Sequence, residues 1–282
     1  MIIITWNVQW CRGMDGHVDP GRIAHTARKL ADFDVLCLQE VAINFAGLPG
    51  SRGEDQMAEL SAALPGYIGL FLPATDVDDG RGSRRQFGNA IFSRSAPAQA
   101  FRHLLPWPAD ASVPSMQRGA LEAIVRGPRG PLRILSTHLE YYSALQRMTQ
   151  VAHLLHLHEE ACAQAERPRP SGEAGSPTQA VARPASAMLC GDCNFKPDSA
   201  EYARLTAAPV RAGIPGWIDA WSACNPGRPH PPTFFVHDPS ESAYCCDFVF
   251  VTDDLVPSLR SIVVPQEIDA SDHQPVVVLL ED

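Results

Sequence analysis

Short apolar runs recur along this chain, and most are bordered by a polar side chain able to do chemistry. Ile2 to Val8 contains Asn7, and Asp34 to Gln39 ends at Glu40. Leu132 to Thr137 ends at His138, and the run from Ala187 to Cys190 turns at Gly191 into Asp192 and Asn194. Asn89 enters the run Gly88 to Ser93, Asp247 opens Phe248 to Val251, and Asp272 and His273 precede Pro275 to Leu280. Runs of this length bounded by turn residues read as buried strands. Helical spacing separates some of them: Pro20 to Asp32, Gly53 to Leu64, Ser143 to about Glu166 and a short Asp198 to Leu205. Tyr67 to Leu72 reads as a further strand and Asp76 to Gln86 as a polar loop. Gly119 to Arg126 and Pro131 to Thr137 form an expected hairpin across Gly127-Pro128-Arg129-Gly130. Alternating strands and helices with hairpins between them fit a mixed-sheet α/β sandwich better than a purely parallel sheet.

With 282 residues, 45% of them hydrophobic, the chain has ample material for a core. A net charge of −9 argues against a protein held on nucleic acid by charge alone. Lys occurs only at Lys29 and Lys196, so nearly all positive charge is Arg, which suits phosphate better than Lys does. Several of the eight Cys lie inside apolar runs, as Cys37 does, and no regularly spaced secreted framework is present. The first strand begins at Ile2 with no basic leader before it, and no apolar run nears the ~20 residues of a membrane span. The expectation is a soluble cytoplasmic protein forming one domain over 1–282. Arg167 to Ala185, rich in Pro, Gly, Ser and Ala, is expected to be a mobile surface loop within it.

Each polar residue alone has a bland explanation, since Asp and Asn cap helices and turns and a lone His is usually a satisfied surface or core residue. Strand termini meet at one rim of a sheet, however, so these side chains can converge. The set holds carboxylates, carboxamides and two His, with no zinc-like ligand spacing. Oxygen donors point to a hard cation, Mg²⁺ or Mn²⁺, and such cations with carboxylates commonly handle phosphate esters.

Thr5-Trp6-Asn7, Leu38-Gln39-Glu40, Gly88-Asn89-Ala90-Ile91, Thr137-His138-Leu139, Gly191-Asp192-Cys193-Asn194, Asp247-Phe248-Val249 and Ser271-Asp272-His273-Gln274-Pro275 occur in that order. The ordered set resembles the endonuclease/exonuclease/phosphatase superfamily, with its deoxyribonuclease I-like fold, over nearly the whole chain. The resemblance implies a four-layer α/β/β/α sandwich with two central mixed β-sheets and a site at one rim. It implies Glu40 as main metal ligand, with Asn7 and Asp272 near the metal. Asp192 would orient or deprotonate the attacking water, and Asn194 would hold that water or the phosphate. His273, oriented by Asp247, would stabilise phosphoryl charge or shuttle a proton, and the choice of general base stays open. His138 would contact the phosphate near the leaving group, and Asn89 would help position the site. The expected partner is a phosphate-ester substrate, with nucleic acid among the options and no protein partner implied. A DNA endonuclease and a non-catalytic scaffold are the rival readings, and the retained polar set argues against the scaffold.

Other features compete for attention. Many relatives carry a basic residue where Cys246 precedes Asp247. Cys190 and Cys193 make a C-x-x-C without a redox or zinc context. Asp76-Val77-Asp78-Asp79-Gly80 lacks the spacing and final Glu of a calcium loop. His153, His156 and His158 read as surface residues of the long helix. Arg81, Arg84 and Arg85 are either a solvated loop or contacts to substrate phosphate, with Arg85 the candidate closest to Asn89. Arg147 and Gln150 are expected to brace the His138 loop, and Trp6, Trp10, Tyr141 and Tyr142 either line the groove or pack in the core.

Overall fold

The computed structural model describes all 282 residues. The strands are β1 (Ile2–Asn7), β2 (Val35–Ile43), β3 (Ile68–Asp78), β4 (Arg84–Ser93), β5 (Gln99–Leu104) and β6 (Gly119–Gly127). They continue with β7 (Gly130–His138), β8 (Ala187–Asp192), β9 (Trp217–Asp219), β10 (Asp247–Thr252), β11 (Leu259–Val263) and β12 (Val276–Leu280). The helices are α1 (Pro20–Leu30), α2 (Gln56–Ala63), α3 (Ala144–Glu166), α4 (Ala200–Leu205) and α5 (Ala220–Cys224). Two six-stranded mixed sheets result, in the orders β11-β12-β1-β2-β4-β3 and β5-β6-β7-β8-β10-β9. At the heart of each lies one parallel pair, β1 with β2 and β7 with β8, flanked by antiparallel neighbours.

Side-chain alternation builds the layers. Ile3, Cys37, Ile91, Leu121, Ile134, Met188, Cys190 and Val249 interleave between the sheets. Ile4, Trp6, Leu36, Leu38, Ala90 and Phe92 face the other way, with Ile23, Ala24 and Ala27 of α1 and Leu60 of α2. Leu135, Leu189, Phe248 and Phe250 do the same for the second sheet, with Val151, Leu154 and Leu157 of α3. This is the α/β/β/α sandwich. Burying each of these Leu, Ile or Phe side chains stabilises the fold by ~1.5–3 kcal/mol before entropy is counted. Helix starts follow capping chemistry: Asp19, Asp55, Ser143 and Ser199 each accept a hydrogen bond from a first-turn N–H. Helix α2 begins three residues later than its apolar spacing suggests, because Asp55 supplies the cap and Gly53 sits at φ +87.

Several expectations need correction. Most of the polar stretch Asp76 to Gln86 is strand, with Val77 opposite Arg85 and Asp78 opposite Arg84, so only a short turn joins β3 to β4. Polar residues there satisfy the ladder at an exposed edge, which hides the strand from a hydrophobicity reading. Edge strands β5, β9 and β11 were likewise masked by short length or mixed polarity. His158 is not a surface residue: it is buried, bonded through Nδ1 to Arg133 and through Nε2 to the Pro215 carbonyl.

Residues 167–185 carry no helix or strand, but Arg183 near their end is buried. It makes a bidentate pair with Glu122 of β6 at 2.9 and 2.8 Å, while His103 and Arg133 approach the same carboxylate at 3.0 and 3.8 Å. Burial alone would raise the Glu122 pKa, but hydrogen bonds from His103 and Arg183 and the nearby Arg133 charge outweigh it and bring it down to about 2. Because the folded value lies below the ordinary 4.5, its stabilisation is complete above pH 4.5 and lost as pH falls towards 2. Glu122→Gln should therefore cost about 3 kcal/mol at pH 7. Urea unfolding of both proteins from pH 7 down to pH 2 should show that difference shrinking. A constant difference across the series would contradict the linkage.

Candidate active site

The polar residues continue the inward-facing stripes of the two sheets to the rim where the interior layer opens. Asn7 follows Ile3 and Thr5, His138 follows Ile134 and Ser136, and Asp192 follows Met188 and Cys190. Asp247 precedes Val249 on the antiparallel neighbour, directly opposite Asp192, and His138 lies opposite Asp192 on the other side. Glu40 is the exception to alternation. Gln39 already points inward, to Ser136 Oγ, so the next residue should face the helices. A bulge between Leu38 and Val41, with Glu40 at φ +62, turns its carboxylate back to the rim. Gly191 is equally specific: at φ +134 it lies so close to Thr137 that any Cβ would strike that carbonyl. Only glycine lets β8 approach β7 there and deliver Asp192 beside His138.

Asn7 Nδ2 donates to Glu40 Oε1 at 3.2 Å and to Asp192 Oδ2 at 2.9 Å, spanning the two sheets, while its Oδ1 accepts from Gln9 N–H at 3.1 Å. His273 Nδ1 lies 2.8 Å from Asp247 Oδ2, and its Nε2 lies 3.8 Å from Asp192 Oδ2. Ser271 Oγ donates to the Asn7 carbonyl and Trp6 Nε1 to the His273 carbonyl, pinning the Asp272–His273 turn to the end of β1. His138 Nε2 stands 3.5 Å from Asp192 Oδ2 and 3.9 Å from Glu40 Oε1. Its partner is Arg118 Nη1 at 3.0 Å. A guanidinium only donates, so His138 Nε2 accepts and the neutral ring carries its proton on Nδ1.

Electrostatics follow from this crowding. Burial, reinforced by Asp272, raises Glu40 to about 7. Burial and Asp247 raise Asp192 to about 6, and burial raises Asp272 as well. Burial would lower His273, but the Asp247 and Asp192 carboxylates more than offset it and carry the imidazole to about 10, so it is a cation at neutral pH. Burial, then Arg118 and His273, push His138 far down, in agreement with its accepting role. Glu40 and Asp272, both at raised pKa, form an anionic donor pair beside Asn7. Carboxylate and carboxamide oxygens suit a hard divalent cation, so Glu40, Asp272 and Asn7 fit one. Asp192, Cys246 and His273 form a second potential metal-binding triad, with ligand atoms within 4.8 Å of one another.

The other candidates fall into place around this core. Asn89 Nδ2 donates to the Gly119 and Ser136 carbonyls, tying the first sheet to the second beneath the site. Asn194, at φ +51, uses its side chain on the Leu139 carbonyl and its N–H on Asp192 Oδ1. Neither Asp192 nor Asn194 caps α4, since Ser199 does. Arg85 is bonded to the Asp78 carbonyl and lies over the Phe45 ring. It sits four residues from Asn89 along β4, roughly 13 Å away, and its hydrogen bond does not go to the cluster. Gln150 and Arg147 brace the turn after His138, by Glu140 N–H to Gln150 Oε1 and by Arg147 to the Glu140 and Tyr141 carbonyls. Trp6 is buried core. Cys190 faces the inner core and Cys193 the outer one, so the C-x-x-C is not a pair. Three contributors escaped the motif reading. Arg118 is held by Glu140 at 3.2 Å, Gln9 donates to Asp272 Oδ2 at 2.6 Å, and Phe234 stacks on His273 at 4.3 Å. Only the pairing of Gly119 with His138 could have pointed to Arg118, and that pairing belongs to the folded hairpin.

The sequence profile of the endonuclease/exonuclease/phosphatase family matches residues 4–273. The chain belongs to that family. No curated protein sequence matches it. Among solved structures, an endonuclease/exonuclease/phosphatase from Beutenbergia cavernae is 23% identical with a TM-score of 0.66, covering 100% of this chain and 72% of its own. A mannosyl-6-phosphatase from Bacteroides thetaiotaomicron is 18% identical with a TM-score of 0.66, covering 100% of both chains. A humanised D. rerio TDP2 is 17% identical with a TM-score of 0.65, covering 100% of this chain and 99% of its own. At these identities the structural likeness establishes the shared fold, here the deoxyribonuclease I-like sandwich.

The Asp247–His273 pair gives a direct test of the site's electrostatics. In Asp247→Asn the imidazole loses its principal anionic partner, and burial then dominates. Histidine NMR without added metal should show wild-type His273 protonated through pH 8. The variant should titrate at least about one pH unit lower. An unchanged titration would mean that Asp247 does not set the charge of His273.

Proposed function

We propose that this protein is a divalent-metal-dependent phosphoesterase that cleaves a phosphodiester or phosphomonoester by in-line attack of water. The observation that carries the reading is the line Asp247–His273–Asp192, with separations of 2.8 and 3.8 Å, set beside Glu40 at the rim of both sheets. Family membership supports hydrolysis of phosphate esters in general, and one structural relative, the mannosyl-6-phosphatase, is of that class.

Each side chain has a task that its environment suits. Asp192, raised to about 6 and oriented by Asn7 Nδ2, is placed to take a proton from the attacking water. Protonated His273, held by Asp247, donates towards a phosphoryl oxygen and balances its developing charge. Arg118 brings a second fixed cation to the same pocket through its bond to His138. Asn194 and Asn89 hold the backbone frame that fixes these distances. Glu40, with Asn7 and Asp272, would hold Mg²⁺ or Mn²⁺, which when bound supplies charge neutralisation at the phosphoryl group and leaving oxygen. The overall charge of −9 favours a small phosphate ester over a nucleic-acid duplex.

Hydrolysis of a generic phosphodiester and a generic phosphomonoester, with Mg²⁺, Mn²⁺ or chelator, tests this. Turnover should need the metal, and Asp192→Asn and His273→Ala should each lower kcat by about 10²–10⁴. Glu40→Gln should raise the metal concentration needed for half-maximal rate by at least about tenfold. Metal-independent turnover, or full activity in both catalytic variants, would sink the mechanism. Plasmid nicking would move the substrate class to nucleic acid.

A further inference from the structure

The proposed hydrolysis has no use for the thiol of Cys246, yet this group lies at the centre of the catalytic residues. Fully buried, it donates to Asp247 Oδ2 at 3.5 Å and sits 4.0 Å from His273 Nδ1 and 3.8 Å from Thr233 Oγ1. We propose that Asp192, Cys246 and His273 form a binding site for a borderline-soft transition-metal dication of the Zn²⁺ class, separate from the oxygen-lined Glu40 site. Occupancy captures the catalytic pair and switches the centre off.

Geometry and donor chemistry carry the proposal. The three ligand atoms all lie within 4.8 Å of one another. Tetrahedral zinc, with bonds of about 2.0–2.3 Å, holds its ligands roughly 3.3–3.7 Å apart, so side-chain adjustments of about 1 Å close the site. A mixed sulfur, nitrogen and oxygen set selects zinc-like ions, whereas Glu40, Asn7 and Asp272 offer only oxygens. A second observation comes from Asp247. Its Oδ2 backs the His273 imidazole, the outer support that metal-bound histidines commonly have. Its Oδ1 is buried with no hydrogen-bond donor at all, a carboxylate oxygen left short of positive charge beside the triad. Binding replaces the S–H bond of Cys246 with an S–metal bond and the Nε2–H bond of the His273 imidazolium with an N–metal bond, and releases two protons to solvent, with no change of oxidation state. The neighbouring cysteine does not compete for this place: Cys245 directs its thiol to the Asp247 backbone carbonyl.

Loss of activity on zinc binding rests on the phosphoesterase reading, whereas the binding itself does not. Metal-stripped full-length protein is titrated with Cd²⁺, whose thiolate complexes absorb in the near ultraviolet, and with Zn²⁺ by calorimetry. Cys246→Ser and Cys246→Ala are titrated in parallel, with Cys245→Ser as the neighbouring control. Wild type and Cys245→Ser should show one equivalent with a thiolate band. Both Cys246 variants should lose the band and bind Zn²⁺ about 100-fold more weakly, while circular dichroism confirms their fold. Zn²⁺ should also suppress Mg²⁺-supported hydrolysis in wild type far more than in either variant, each relative to its own rate. A thiolate band or undiminished zinc affinity in a folded Cys246 variant would overturn the site. Equal zinc suppression in wild type and variants would overturn its inhibitory role. If no hydrolysis is found at all, the phosphoesterase reading fails while the Cd²⁺ titration still judges the site.

Discussion

The side-chain amide of Asn7 is the joint on which the polar rim of the two sheets depends. One nitrogen donates to a carboxylate of its own sheet, Glu40, and to a carboxylate of the opposite sheet, Asp192. Two acids this close repel each other, and each is already pushed towards its neutral form by burial. A shared donor is one of the few groups that lowers that cost without filling the space a cation needs. Its own orientation is fixed by the Gln9 N–H on Oδ1. The register of one sheet against the other is therefore expressed, at the rim, as the separation of two acids.

Behind that joint lies a simple rule of alternation. Every second residue of the central strands points into the layer between the sheets, and apolar side chains fill it until the rim, where the same positions become Asn7, His138, Asp192 and Asp247. Site and core are one stripe, read first as Ile or Val and last as Asp or His. Two local devices break the rule where function needs it. The bulge at Glu40 turns an outward position inward, and Gly191 brings two backbones closer than any side chain permits. A positive φ at a non-glycine residue such as Glu40 costs about 1–3 kcal/mol, and the packed sheets on either side hold it in place.

The central strands, the long helix and the order of the polar termini were legible because they combine strong periodicity with residue types that have few other reasons to lie there. Ile2 to Trp6, apart from Thr5, and Ala187 to Cys190 are apolar, as strands buried on both faces tend to be. The β3–β4 extension was not legible, since Asp76, Asp78 and Arg84 satisfy a ladder in solvent and carry no apolar signature. Arg118 was missed for a different reason. Its relation to His138 runs across a hairpin, so neither local spacing nor composition marks it. His158 looked like a surface residue because a helix with weak amphipathic contrast does not announce which His it buries.

Strand β1 pairs on one side with β2 and on the other with β12, Ile2 lying opposite Leu279. The central strand of a sheet thus waits for a partner that leaves the ribosome more than two hundred residues later. Closing so long a loop is slow relative to local folding, though it adds little to the final free-energy cost. Asp272 and His273 lie on the segment that makes this closure. During synthesis, then, a chain lacking β12 holds most of the hydrophobic layers but neither the imidazolium nor the last carboxylate of the rim. Assembly order alone leaves the polar rim incomplete until the sheet is closed.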